Sequence, residues 1–489
     1  MSEIRLHERV GAESRAAPEN RIFVNRNLRM TSIRAIGFDL DHTLAHYRGP
    51  AVEELAYALT SRRLVERFGY PEELLEIPYD RKFVIRGLVI DKRRGNILKM
   101  DYHNYVARAF HGRRRLKAKA RKSAYRTGRV RMSSDAYVSV DTLFHLPEVY
   151  LYVVLVDLRD RGRNGRKKRS YTRIYDDVRE AIDSVHGDGS LKREILGNLD
   201  RFIRIDPRLG PTLEEFRQGG KKLFLLTNSE FYYTQALMTY LLEDPQRPDR
   251  NWTELFDLIL TDAGKPAFFT DLERAWGGPR EEDAAAPGKV FHAGSARRLE
   301  KELGFRGDEI LYFGDHTYGD ILRSKKTLGW RTAMVMEELQ QEMETTRSVT
   351  PQLDELNHWA SLRGVLEADT STLELELRRH ERKLEEAGGS GEAHTKLQRK
   401  VEKVRERLGE RQAELDQVQR TTRELAIAVE RRYNPHWGPL FRVGGETSRF
   451  GHQVKDFACL YMTRVSNFLT YNSSHYFRSA AERMPHELE

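Results

Sequence analysis

Four short, largely continuous apolar runs, each ending in polar side chains, constrain the fold of this 489-residue chain most strongly. They are Ile33 to Phe38 before Asp39, Leu223 to Leu226 before Thr227, Leu258 to Leu260 before Asp262, and Ile310 to Phe313 before Gly314. A strand with one face in water alternates apolar and polar residues, whereas continuous hydrophobicity marks burial on both faces. The pattern predicts a parallel α/β sheet. In such sheets the ligand site lies beyond the carboxyl ends of the strands, where each of these polar clusters falls.

Roughly 185 residues separate the first run from the second, far more than one crossover helix needs, which predicts an inserted cap domain. The expected division is a discontinuous core at 1–45 and 200–360, with a cap at 46–199. Within the cap, Val149 to Val156 reads as a strand and Val178 to Val185 as an amphipathic helix ending near Gly187 and Gly189. From Glu367 to Arg432 the composition shifts to Glu, Lys, Arg, Gln and Leu, broken at Gly388, Gly389, Ser390 and Gly391. Leu397, Val401, Val404, Leu408, Leu415, Val418, Leu425 and Val429 keep a heptad register, so a helical hairpin over 366–432 is expected. The aromatic-rich segment 433–489 reads as helical, packing on the core or on an oligomer face.

The segment GFDLDHTL carries the chemistry. Asp39 and Asp41, two residues apart on extended backbone, project to one face, so two carboxylates meet one reacting group. Attack of a carboxylate on a phosphate monoester joins two anions and needs a hard divalent ion such as Mg²⁺ to neutralise charge. Asp39 would attack phosphorus, and Asp41 would protonate the leaving oxygen and later deprotonate water. An isolated Asp-x-Asp-x-Thr string also fits ordinary strand-end turns. Downstream, Thr227, Asn228 and Ser229 offer donors for phosphoryl oxygens, and Lys265 in DAGKP offers a point charge. Asp315 and Asp320 in GDHTYGD suit a metal ligand and a residue behind it, and Thr43 would support the first loop.

In this order, at four strand ends, the pieces match the motifs of the haloacid dehalogenase-like superfamily. The stretches FVNRNLRM, GFDLDHTLAHY, DTLFHLPEVYL, VREAIDSVHGDGSLK, LLTNSEFYYT, FDLILTDAGKP and GDHTYGDILRSKK resemble the cytosolic purine 5′-nucleotidases, which prefer inosine and guanosine monophosphates. The resemblance implies a Rossmann-like parallel core, a phosphorylated Asp39, and Mg²⁺ held by Asp39, the Asp41 carbonyl and Asp315. It also implies that Phe144 stacks on the purine, that Arg179 and Asp183 address its polar edge, and that His186 and Lys192 line the pocket. Read without it, Phe144 is a core aromatic and Arg179–Asp183 a surface ion pair. His145 stands where the family usually has Asn, which bears on base preference. Phosphotransfer to nucleosides and a homo-oligomer, dimer or tetramer, are further implications.

The net charge of +9 makes polyanions attractive partners, and the stretches Arg113 to Arg131 and Arg159 to Arg169 concentrate that charge. The rival reading is therefore a nucleic-acid-binding protein or nucleic-acid-end phosphatase on the same scaffold, although no nucleic-acid motif accompanies the charge. A single cysteine, Cys459, excludes an intramolecular disulfide. The first twenty residues lack an apolar core for a signal peptide and no run is long enough to span a bilayer, so a cytoplasmic protein is expected.

Overall fold

The computed structural model describes residues 17–125, 130–162, 169–243, 251–278, 280, 281, 283, 288–389 and 391–480. The leading residues, Ser390, and parts of both basic stretches (126–129 and 163–168) lie outside the described residues. It falls into two compact units, residues 1–343 with 440–489, and residues 344–439.

The larger unit is built on a nine-stranded sheet. In chain order its strands are β1 (Phe23–Val24), β2 (Ala35–Phe38), β3 (Lys222–Leu226), β4 (Leu258–Thr261), β5 (Trp276–Gly277), β6 (Val290–Ala293), β7 (Ile310–Gly314), β8 (Arg331–Val335) and β9 (Leu460–Met462). Their spatial order is β1-β9-β8-β7-β2-β3-β4-β6-β5, parallel throughout except for the outermost strand at each edge. The expected parallel α/β core is present, and its central strand β2 is wholly buried. Phe38 pairs with Leu225 on one side and Phe313 on the other, so three of the polar clusters leave the sheet at one level. Gly37 is required at its position: a β-carbon there would meet the Phe224 ring at 2.1 Å.

The insertion after β2 opens with helix α1 (Gly49–Phe68) and then forms a five-stranded antiparallel sheet from residues between Val89 and Ser139. Helices α2 (His145–Asp160), α3 (Tyr171–Gly187) and α4 (Ser190–Gly197) follow. The strand expected at Val149 to Val156 is thus the middle of α2. Every residue from Leu146 to Val156 is buried, so the helix has no polar stripe to reveal its period, and β-branched and aromatic residues imitate a buried strand. The expected helix at Val178 to Val185 lies within α3, whose start is capped by the Ser170 side chain accepting from Arg173 N–H.

The smaller unit is a helical hairpin, α5 (Thr350–Glu386) and α6 (Glu392–Tyr433). Leu373 and Leu377 of α5 pack on Val404 and Leu408 of α6, and Arg405 pairs with Glu381 at 2.8 Å. Buried Val401, Val404, Leu408, Val418 and Val429 follow the heptad register.

After residue 439, where helix was expected throughout, the described residues hold one helix of more than two turns, α7 (Arg449–Phe457), and then β9, which enters the central sheet beside β8. Phe468 packs edge-on against Phe216 and Phe313 of the main core. Cys459 is buried. No helix among the described residues is long and apolar enough to cross a membrane.

Candidate active site

Asp39 follows the last residue of β2, and its backbone N–H donates to Phe313 O of the neighbouring strand at 2.9 Å. Its Oδ1 accepts from Leu40 N–H at 2.8 Å and lies 2.8 Å from Lys265 Nζ. Lys265 Nζ also lies 2.8 Å from Asp320 Oδ1 and donates to the Tyr312 hydroxyl at 3.1 Å. Burial alone would lower the ammonium's pKa, but Asp320 and Asp39 more than offset it and hold the charge in place.

Asp320 turns back beneath β7 in a π-type turn over Thr317–Leu322. Gly314 permits this, since a β-carbon there would meet Asp320 Cβ at 2.5 Å. Carboxylate oxygens of Asp39, Asp315 and Asp320 lie within 4.8 Å of one another. Asp315 is clasped by Arg86, a fully buried cap arginine whose Nη1 donates to the Asp315 carbonyl at 2.8 Å while its fork grips Glu338. Burial raises the carboxyl pKa of Asp315, and it raises that of Asp39 well above the usual range, with Asp320, Asp41 and Asp315 adding to the effect on Asp39. The carboxyls of Asp39, Asp315 and Asp320 are crowded together around one lysine, and Arg86 divides its charge between Asp315 and Glu338. The donors are hard oxygens and negative charge is in excess, so the residues fit a divalent ion such as Mg²⁺.

Asp41 is held at both oxygens, by the Tyr47 hydroxyl at 2.5 Å and by Ser229 Oγ at 2.8 Å; Tyr47 in turn meets the Tyr233 hydroxyl at 2.9 Å. Hydroxyls can donate to a carboxylate or rotate to accept from a carboxylic acid, so this seat serves either protonation state. Thr43 Oγ1 is buried without a hydrogen-bond partner among the described residues.

Thr227, Asn228 and Ser229 form the loop after β3. Thr227 Oγ1 accepts from Ser229 N–H at 3.0 Å, and the Asn228 amide clamps the Lys265 backbone, accepting from its N–H at 2.7 Å and donating to its carbonyl at 3.1 Å. The Asn228 side chain is therefore engaged in placing Lys265. Ser229 stands between this loop and Asp41.

A cleft of about 340 Å³ adjoins Asp41, lined also by Asn228 and Ser229 from the core side and by Tyr47, Phe144, His145, Arg179, His186 and Lys192 from the insertion. Phe144 presents a half-buried ring backed by His42, Tyr47 and His186. Arg179 spends its guanidinium on Glu148 at 2.9 Å, on His145 Nε2 at 3.3 Å and on both oxygens of Asp183. Asp183 does not line the cleft. Lys192 is paired with Glu230. Burial first, then Arg179, His316 and His186, push the His145 pKa down to about 3, so its ring is neutral.

Sequence reasoning did not single out Tyr47, Tyr233, Arg86, Glu148, His42 or Glu337. His42 lay inside the motif, yet nothing local pairs it with Glu337, 295 residues away.

A family model described as the 5′ nucleotidase family matches residues 22–489. The chain is 29% identical over 486 residues to a 5′-nucleotidase domain-containing protein of Dictyostelium discoideum, the match covering 96% of this chain and 75% of that one. The solved structure of a predicted phosphoglycolate phosphatase from Haemophilus somnus matches at 14% identity and a TM-score of 0.29, covering 63% of this chain and 87% of that one. A β-phosphoglucomutase from Pyrococcus matches at 12% identity and a TM-score of 0.29, covering 62% and 87%. At scores this low neither structure bears on the reading of the site.

Proposed function

Because the chain belongs to the 5′-nucleotidase family, we propose that it hydrolyses purine nucleoside 5′-monophosphates, IMP and GMP foremost, through a phosphorylated Asp39 with Mg²⁺ as cofactor. The observation that carries this reading is the Lys265 ammonium, 2.8 Å from both Asp39 and Asp320, in a core whose Asp41 and Asn228 line the same cleft as Phe144.

The Asp39 carboxylate attacks phosphorus as the bond to the 5′-oxygen breaks. Asp41, seated between Tyr47 and Ser229, gives its proton to the departing oxygen, and the nucleoside leaves neutral. Lys265 balances charge on the transferring phosphoryl group. Water then attacks the phosphoaspartate, Asp41 takes its proton, and phosphate leaves with Asp39 restored. A nucleoside hydroxyl in place of that water gives phosphotransfer. Asp39 and Asp315, with the Asp41 carbonyl, would hold Mg²⁺, and Asp320 would anchor Lys265 behind them. When bound, the ion supplies charge neutralisation between two anions and polarises the phosphoryl oxygens.

In the cap, Phe144 offers a face to the purine. His145, Arg179, His186 and Lys192 line the same cleft and would meet the base and sugar, with Asp183 holding Arg179. Of the basic stretches, described Arg113 and Arg159 are paired with Asp157 and Asp160, so the nucleic-acid reading gains no support from them. A homo-oligomer and cytoplasmic residence belong to the same proposal, and solution mass tests the first.

The test is phosphate release, with Mg²⁺, from purine and pyrimidine monophosphates and ribose 5-phosphate. The expected result is the highest kcat/KM for IMP or GMP. Equal rates on ribose 5-phosphate would remove the purine pocket.

A further inference from the structure

Phe144 separates two spaces. In front of its ring is the cleft of about 340 Å³; behind it is a smaller cavity of about 40 Å³ lined by His42, Tyr47 and Glu337. A ring that stacks on a base gains from contact only if it is held forward, and here a void lies at its back. What fills that side is the edge of His42, whose ring centre lies 4.6 Å from that of Phe144 at an interplanar angle of 64°. His42 occupies left-handed backbone, φ +55°, so its ring is delivered from a conformation that few side chains adopt.

Glu337, just past β8, fixes that ring. Its Oε1 lies 3.1 Å from His42 Nδ1 and 3.4 Å from His46 Nδ1, and its Oε2 accepts from Arg204 at 3.1 Å. The carboxylate is 17% exposed and is pinned by three side chains, so it acts as a fixed anchor. Glu337 does not line the front cleft.

We propose that Glu337 is a positioning residue for base recognition: through His42 it holds the Phe144 ring forward in the cleft, and so sets purine affinity without touching the nucleotide. The inference rests on the reading of Phe144 as the stacking ring. Glu338, the next residue, serves a different end, gripping Arg86 behind Asp315. Damage that spread to that loop would impair every phosphomonoester alike, whereas loss of the anchor affects only substrates that carry a base.

The test is a double-mutant cycle in the full-length protein with Mg²⁺, using E337Q, F144A and the pair, with IMP and ribose 5-phosphate as substrates. E337Q is expected to raise KM for IMP on the order of tenfold, the upper range for an aromatic contact. Its kcat and its kinetics on ribose 5-phosphate should stay at wild-type values, and it should have no further effect once Phe144 is Ala. A unchanged KM for IMP, equal losses on both substrates, or additive effects in the double variant would overturn the proposal. If F144A alone leaves the KM for IMP unchanged, the stacking reading fails and this inference with it. Should E337Q not fold, Glu337→Asp, which withdraws the same charge by one methylene, takes its place in the cycle.

Discussion

The Lys265 ammonium lies 2.8 Å from Asp39 Oδ1, with the two side chains 5% and 10% exposed. A buried charge pair of this kind gives one group two duties. It opposes the burial and the neighbouring carboxylates that raise the Asp39 pKa, and it supplies a cation where phosphoryl charge would gather.

Lys265→Met should therefore damage both stability and rate. Removing one partner leaves Asp39 and Asp320 facing each other, at a cost of about 3–5 kcal/mol. Turnover should fall by at least about 10²–10³. Chemical denaturation and steady-state phosphate release check the two effects separately, and a folded Lys265→Met protein with wild-type kcat would refute the role.

Tyr47→Phe removes the hydroxyl that meets Asp41 at 2.5 Å but keeps the ring packed against His42 and Phe144. A hydrogen bond to a charged group contributes about 1.5–3 kcal/mol. The expected outcome is a kcat lower by about ten- to a hundredfold with KM nearly constant. A change confined to KM would mean that Tyr47 serves binding and not the orientation of Asp41.

His145 gives a pH signature. Its folded pKa of about 3 lies below the ordinary value of 6.5, so the unfolded chain binds the extra proton between those limits. The stability is fully present above about pH 6.5 and declines as pH falls toward 3. Arg179, His316 and His186 are the charged or titratable groups that oppose protonation. Because the ring is half-buried, solvent screening trims the penalty at pH 5 to about 1 kcal/mol. His145→Asn should remove that share, so unfolding free energies of the two proteins, measured from pH 7.5 to 5, should diverge on acidification. Parallel curves would show that His145 is protonated freely.

How much of this was legible in the sequence depends on the range of the interaction. The position of Asp39, Thr227, Lys265 and Asp315 past strand ends was legible because strands buried on both faces leave continuous apolar runs, and the loops follow them directly. The same logic misread Val149 to Val156, where burial on every side erased the helical period. Strand β9 was hidden because three residues in an aromatic-rich stretch carry no pattern of their own, and their place beside β8 is fixed only by tertiary pairing. Arg86 and Asp315 are 229 residues apart, and Tyr47 and Tyr233 are 186 apart. Such contacts leave no local trace, so the supports of the site emerged only from the folded chain.

The most direct test of the central claim is Mg²⁺-dependent phosphate release from IMP by the wild-type protein and Asp39→Asn, each with and without EDTA. Release that requires the metal and falls to background in Asp39→Asn, with an unchanged melting temperature or a higher one, is the expected result. Wild-type release by Asp39→Asn would contradict a mechanism through a phosphorylated Asp39.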